Sequence, residues 1–152
     1  MPLRLARALM PAKALTAALT STLAVALVAS PAAFAQKEPP KNTTRSVYGN
    51  KLPNVPGKSL KVVEVAYPPG ASAGSHTHAK SAFIYAQVLE GEVRSQVKGQ
   101  EVRVYKVGEF WTEVPGAHHL ISENASKTNP AKLLAIFVVD DDDAPLTVPD
   151  RK

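Results

Sequence analysis

The sequence predicts an all-β sandwich or barrel, and three observations carry that expectation. Short segments rich in Val, Ile, Phe and Tyr recur roughly every 8–12 residues along the second half of the chain. Gly, Pro and Asn turns separate them. No segment sustains a helical period, and no internal repeat is visible. With 152 residues the chain is long enough for one domain. It has no cysteine, so disulfides, thiolate chemistry and Cys-held zinc are excluded.

Residues 1–35 read as a secretory signal peptide. Arg4, Arg7 and Lys13 form a basic head without an acid. An apolar run follows, strongest from Leu23 to Ala29, and Ala33-Phe34-Ala35 supplies a small-residue cleavage site. The run is too short for a membrane span, which needs about 20 apolar residues. Cleavage after Ala35 would leave 117 of the 152 residues. Three of the 18 basic residues would go, so the net charge would fall from +5 to +2. The expected destination is periplasmic or extracellular, with no membrane span after cleavage. No basic patch interleaved with aromatics argues for nucleic acid.

Residues 36–57 are polar and proline-rich and lack a hydrophobic period, which predicts a flexible, extended N-terminal arm. Leu60 to Tyr67 alternates, with Val63, Val65 and Tyr67 on one face. Phe83 to Leu89 is apolar and closes at Glu90-Gly91. Glu92 to Val97 runs into a Lys98-Gly99-Gln100 turn. Glu101 to Tyr105 stops at Gly108, and Phe110 to Val114 precedes Pro115-Gly116. His118 to Ser122 is short. Ala131 to Val139 reads as a buried strand. Residues 58–140 are thus the expected barrel. Asp140 to Asp143 open a tail, 141–152, expected to be solvated and self-repelling rather than a calcium loop. Asn124-Ala125-Ser126 matches a glycosylation sequon, a weak pattern.

All four histidines fall in two clusters. In a strand, His76 and His78 point to one face with Cα atoms roughly 6.5–7 Å apart. Two imidazoles so placed can converge on one ion at about 2.0–2.1 Å each. His118 and His119 face opposite ways in a strand, so only one of them can join the first pair.

Gly70, five residues, His76-Thr77-His78 and then Gly91 resemble the first motif of the cupin superfamily. Gly108, Pro115-Gly116-Ala117-His118-His119 and Asn124 resemble the second. The likeness runs from about Leu60 to Val139. It implies a single jelly-roll β-barrel, with His76, His78 and His119 as metal ligands and His118 as an outward neighbour or supporting group. It also implies a homodimer, formed through the N-terminal arm. The family's glutamate would fall between Ala82 and Ile84, where none stands. Gln87, Tyr85 or Glu90 would need a bulge to replace it. The expected site is therefore three histidines plus water around Fe, Mn, Ni, Cu or Zn.

Such an open site can bind water, dioxygen or a small oxygen-bearing molecule. Without the carboxylate it would be more positive by one charge and would favour anionic chelators. Phe83, Tyr85, Phe110 and Trp111 are candidates for an apolar pocket, and Gln87, Arg94 and Gln96 for orienting a polar substrate. Glu113 reads as a surface residue or, alternatively, as a base or partner near His119. The expected function is dioxygenase-like or isomerase-like chemistry on a small molecule. The alternative is a non-catalytic module that holds a metal or small ligand.

Overall fold

The computed structural model describes residues 40–151. The expected signal peptide, its cleavage site and the first residues of the arm lie outside that range. Ten strands make up the described fold: β1 (Thr43–Lys51), β2 (Lys58–Tyr67), β3 (His76–His78), β4 (Phe83–Glu90), β5 (Glu92–Val97), β6 (Arg103–Lys106), β7 (Phe110–Glu113), β8 (His118–Asn124), β9 (Ala131–Asp140) and β10 (Thr147–Pro149). They form two five-stranded sheets, ordered β1-β2-β9-β4-β7 and β10-β3-β8-β5-β6. All named pairings are antiparallel.

Period-two alternation explains which faces are buried. In β9, Ala131, Leu133, Ala135, Phe137 and Val139 are buried, and the residues between them are half-buried. In β4, Ile84, Ala86 and Val88 point inward, so Tyr85 and Gln87 point outward. Val63, Val65 and Tyr67 of β2 share the inner face, as their alternation predicts. Gly91 makes the tight β4–β5 connection at φ +65°, and a Cβ there would lie 2.3 Å from the Pro130 carbonyl oxygen. Only glycine meets both demands.

Two expectations need correcting. Within the arm, Thr43–Lys51 is an ordered edge strand rather than a flexible segment. It pairs with β2 from Thr43↔Ala66 to Lys51↔Ser59. All nine of its residues are exposed, so it has no hydrophobic period and is held by its backbone ladder. The acidic run is not a free tail either. Asp140 pairs with Lys58 at 2.5 Å, and Asp141 accepts from Ser59 Oγ at 2.6 Å and pairs with Lys51 at 3.2 Å. Asp143 accepts from the Ser81 amide and hydroxyl at 2.8 and 2.7 Å. The chain then returns as β10 against β3.

Candidate metal centre

The ladders bring the histidines together. His76 and His78 share the inner face of β3, and the β3–β8 register sets His119 directly across from His76. The three rings have centroids 4.8, 5.0 and 6.1 Å apart. Each ring offers one nitrogen to a group whose members all lie within 4.8 Å of one another, which can hold a metal ion. His118, opposite Thr77, faces away. Its Nε2 meets Asp150 Oδ2 at 2.8 Å and Ser75 Oγ at 3.1 Å, an anchor for the end of the chain.

The fourth acidic or polar member is Glu113, from the opposite sheet. It is 2% exposed and pairs in register with Ile84. Ile84 is one of the positions where the family motif leads one to expect a glutamate. The carboxylate thus reaches the centre from the neighbouring strand β7 instead of from β4. Its Oε2 lies 3.2 Å from His78 Nε2, and its Oε1 lies 3.3 Å from His119 Nδ1. Trp111 Nε1 donates to Oε1 at 3.0 Å. The surface reading of Glu113 is therefore overturned. Glu113 stands two residues from Trp111, so the register that buries Trp111 also carries Glu113 inward.

Hydrogen bonds orient the rings. Backbone carbonyls can only accept, so His76 Nδ1–H donates to Gly74 O at 2.9 Å and His78 Nδ1–H donates to Leu146 O at 3.2 Å. That leaves both Nε2 lone pairs turned to the centre. His119 Nε2 meets Ser95 Oγ at 2.8 Å. Burial pushes the His119 pKa down to about 4 and lowers that of His76. Burial alone would raise the Glu113 carboxyl, but the His78 contact, the His119 and His78 charges and the Trp111 donor together hold it below the usual range. Without a metal, the environment thus favours the neutral form of the His76 and His119 rings and the ionised form of Glu113.

This donor set fits a cation. His78 Nε2 and Glu113 Oε2 are fully buried, and although 3.2 Å apart they are not aligned as a hydrogen bond, so neither has a partner. Two adjacent buried acceptors without a proton between them are costly unless a cation bridges them.

Several candidate residues lie elsewhere. Tyr85 stacks on Phe110 at 5.0 Å, and Phe110 is 55% exposed. Phe83 is also exposed. Gln87 donates to Gly108 O at 3.3 Å, and Glu90 sits near Lys132 on the surface. Arg94 pairs with Glu123 at 2.7 Å, and Gln96 donates to Gln100 O at 3.2 Å. Of the four aromatic candidates, Trp111 alone is buried beside the centre. Residues that the pattern reading passed over also meet here: Tyr67 OH bonds Ser122 Oγ at 2.7 Å, and Phe137 lies 5.8 Å from His78. A cavity of about 450 Å³ opens beside the histidines and Glu113. Asn124 of the second motif is structural. Its buried Nδ2 faces the carbonyls of Tyr67, Pro68 and Asn129 at 3.2, 3.1 and 2.8 Å.

The sequence matches the cupin domain family over residues 63–137. No curated protein matches it. The fold is similar to that of a conserved double-stranded β-helix protein from Klebsiella pneumoniae, with TM-score 0.56 and 19% identity over 74% of this chain and 86% of that one. It is similar to a cupin domain from Bordetella pertussis, with TM-score 0.51 and 20% identity over 67% and 97% of the two chains. It is also similar to the DMSP lyase DddQ from Ruegeria pomeroyi, with TM-score 0.50 and 23% identity over 59% of this chain and 42% of the lyase. Both histidine motifs sit where the two sheets face each other, and on the family match and this shared architecture the chain belongs to the cupin superfamily.

Proposed function

We propose that the protein is an exported cupin that holds one divalent metal ion through His76, His78 and His119, with Glu113 completing the donor set. At positions left open on the ion it acts on a small oxygen-bearing organic molecule. The observation that carries this reading is the unpartnered pair of buried acceptors, His78 Nε2 and Glu113 Oε2. A bound divalent ion would supply Lewis acidity toward a chelating oxygen pair and would lower the pKa of bound water. The chain's own residues do the rest. Gly74 O and Leu146 O hold two rings in the tautomer that frees Nε2, and Trp111 steadies the carboxylate. The mainly apolar cavity walls give the carbon body of such a molecule a surface to bury. Fe, Mn, Ni, Cu and Zn all accept such a nitrogen and oxygen set.

One observation favours the second reading, a non-catalytic binding module. Acid and base candidates in the cavity are already held, Glu113 Oε1 by Trp111 and Tyr67 by Ser122. Oxygen uptake and product analysis of the iron-loaded protein with small oxygen-bearing chelators separate the two. Turnover supports the enzyme; saturable binding without turnover supports the module. Export rests on the layout of residues 1–35, and N-terminal sequencing of protein secreted by the native host tests it. Pairing into a homodimer is likewise a proposal, supported by the exposed Phe83 and Phe110 on the outer face of one sheet. Light scattering tests it.

A further inference from the structure

The cavity beside the histidines carries a charge pattern that narrows its ligand. Val63 and Val65 come from β2, Leu133 and Phe137 from β9, Trp111 from β7 and Leu146 from the segment before β10. Among the described residues, no lysine or arginine lines it. The next inward position along β2 is Lys61, which is not among the lining residues and lies close enough to Asp141 and Asp143 to lower the pKa of their carboxyls. The Tyr67 hydroxyl is taken by Ser122 at 2.7 Å.

Consider the charges once a divalent ion is bound. Three neutral imidazoles and the Glu113 carboxylate leave the centre at +1. A ligand with one negative charge brings it to zero. A small dianion would leave an extra negative charge against apolar walls, with no cation to meet it, and burying an unpaired charge is strongly unfavourable. An apolar body on the ligand gains free energy on those same walls. Glu113 removes the extra positive charge expected of a site without a carboxylate, which narrows the expected anionic chelators to those carrying a single charge.

We propose that the cavity selects a mainly apolar molecule bearing one chelating pair of oxygens and at most one negative charge. A 1,3-diketone bound as its enolate is of this class; a small dicarboxylate is not. The inference rests on the metal reading above.

The test uses the full chain. Zinc is titrated first, alone. Heptane-3,5-dione and oxalate are then titrated into the zinc-loaded protein at concentrations that leave the metal bound. Trp111, the only tryptophan, lines the cavity, so its fluorescence reports occupancy, with calorimetry as the second readout. The dione is expected to bind roughly tenfold or more tightly than oxalate. Leu146→Arg, at a half-buried position, is expected to raise oxalate affinity by about tenfold by supplying the missing cation. Equal or tighter binding of oxalate by the wild-type protein would overturn the inference and leave the metal reading standing. So would zinc uptake without affinity for either ligand. Failure to bind zinc or any other divalent ion would overturn the metal reading itself. If Leu146→Arg does not fold, the wild-type comparison alone decides.

Discussion

Replacing Glu113 by glutamine keeps the side chain's shape and an oxygen for Trp111 Nε1, now 3.0 Å away, but removes the charge. With a divalent ion bound, the centre changes from +1 to +2. Loss of a group that supports or completes a metal site lowers affinity by about 10–100-fold. Thermal melting reads that loss through linkage. At a free metal concentration of 1,000 times the wild-type Kd, binding stabilises the native state by ~4 kcal/mol. If the variant's Kd is 100-fold weaker, the same metal stabilises it by only ~1.4 kcal/mol. At roughly 4 °C per kcal/mol for a domain of this size, the metal-induced rise in Tm should shrink from about 16 °C to about 6 °C. Melts with and without metal separate two roles. A residue that merely packs against the histidines would lower the Tm of the metal-free protein and leave the metal-induced rise intact. An unchanged metal-induced rise in Glu113→Gln would refute the placement of Glu113 in the donor set.

Other perturbations test the frame around the site. Gly91→Ala forces a left-handed φ and a Cβ contact at 2.3 Å with the Pro130 carbonyl, so it should cost at least ~2 kcal/mol in a denaturant melt. Asn124→Ala removes the buried Nδ2 donor shared by the carbonyls of Tyr67, Pro68 and Asn129, of which Pro68 O keeps the Ala71 amide, and should cost ~1–3 kcal/mol. Metal-free protein should lose stability on acidification. The His119 pKa is about 4 when folded, against about 6.5 unfolded, so the unfolded chain takes up its proton first as pH falls. The stability present above about pH 6.5 drains away toward pH 4, by up to ~3 kcal/mol for this group. His119→Gln should flatten that slope; an unchanged slope in the variant would contradict the assignment.

How far the chain could be read depended on periodicity. Ala131 to Val139 announces itself as a strand because its apolar run is too short for most helices and sits between turns. His76-x-His78 announces a shared face for the same reason. Glu113 was harder, because Phe110-Trp111-Thr112-Glu113 can be laid down with either aromatic inward. Only the β4–β7 register, which sets Glu113 opposite Ile84, decides that Trp111 and Glu113 go in while Phe110 and Tyr85 go out. β1 left no trace, since a strand exposed along its whole length has no alternation to read. The acids from Asp140 to Asp143 looked like a tail because their partners, Lys58, Ser59, Lys51 and Ser81, come from distant segments. Leu146 reaches the cavity only because β10 returns to pair with β3.

The claim at the centre of this account is that three histidines from one sheet and a carboxylate from the other hold a single ion. Elemental analysis of the purified protein after loading and desalting addresses it directly, beside a His76→Ala/His119→Ala variant shown by circular dichroism to keep its β-sheet. The account predicts one equivalent of divalent metal per chain in the wild type and none retained by the variant. Metal retained equally by both, or by neither with any of iron, manganese, nickel, copper and zinc, would contradict it.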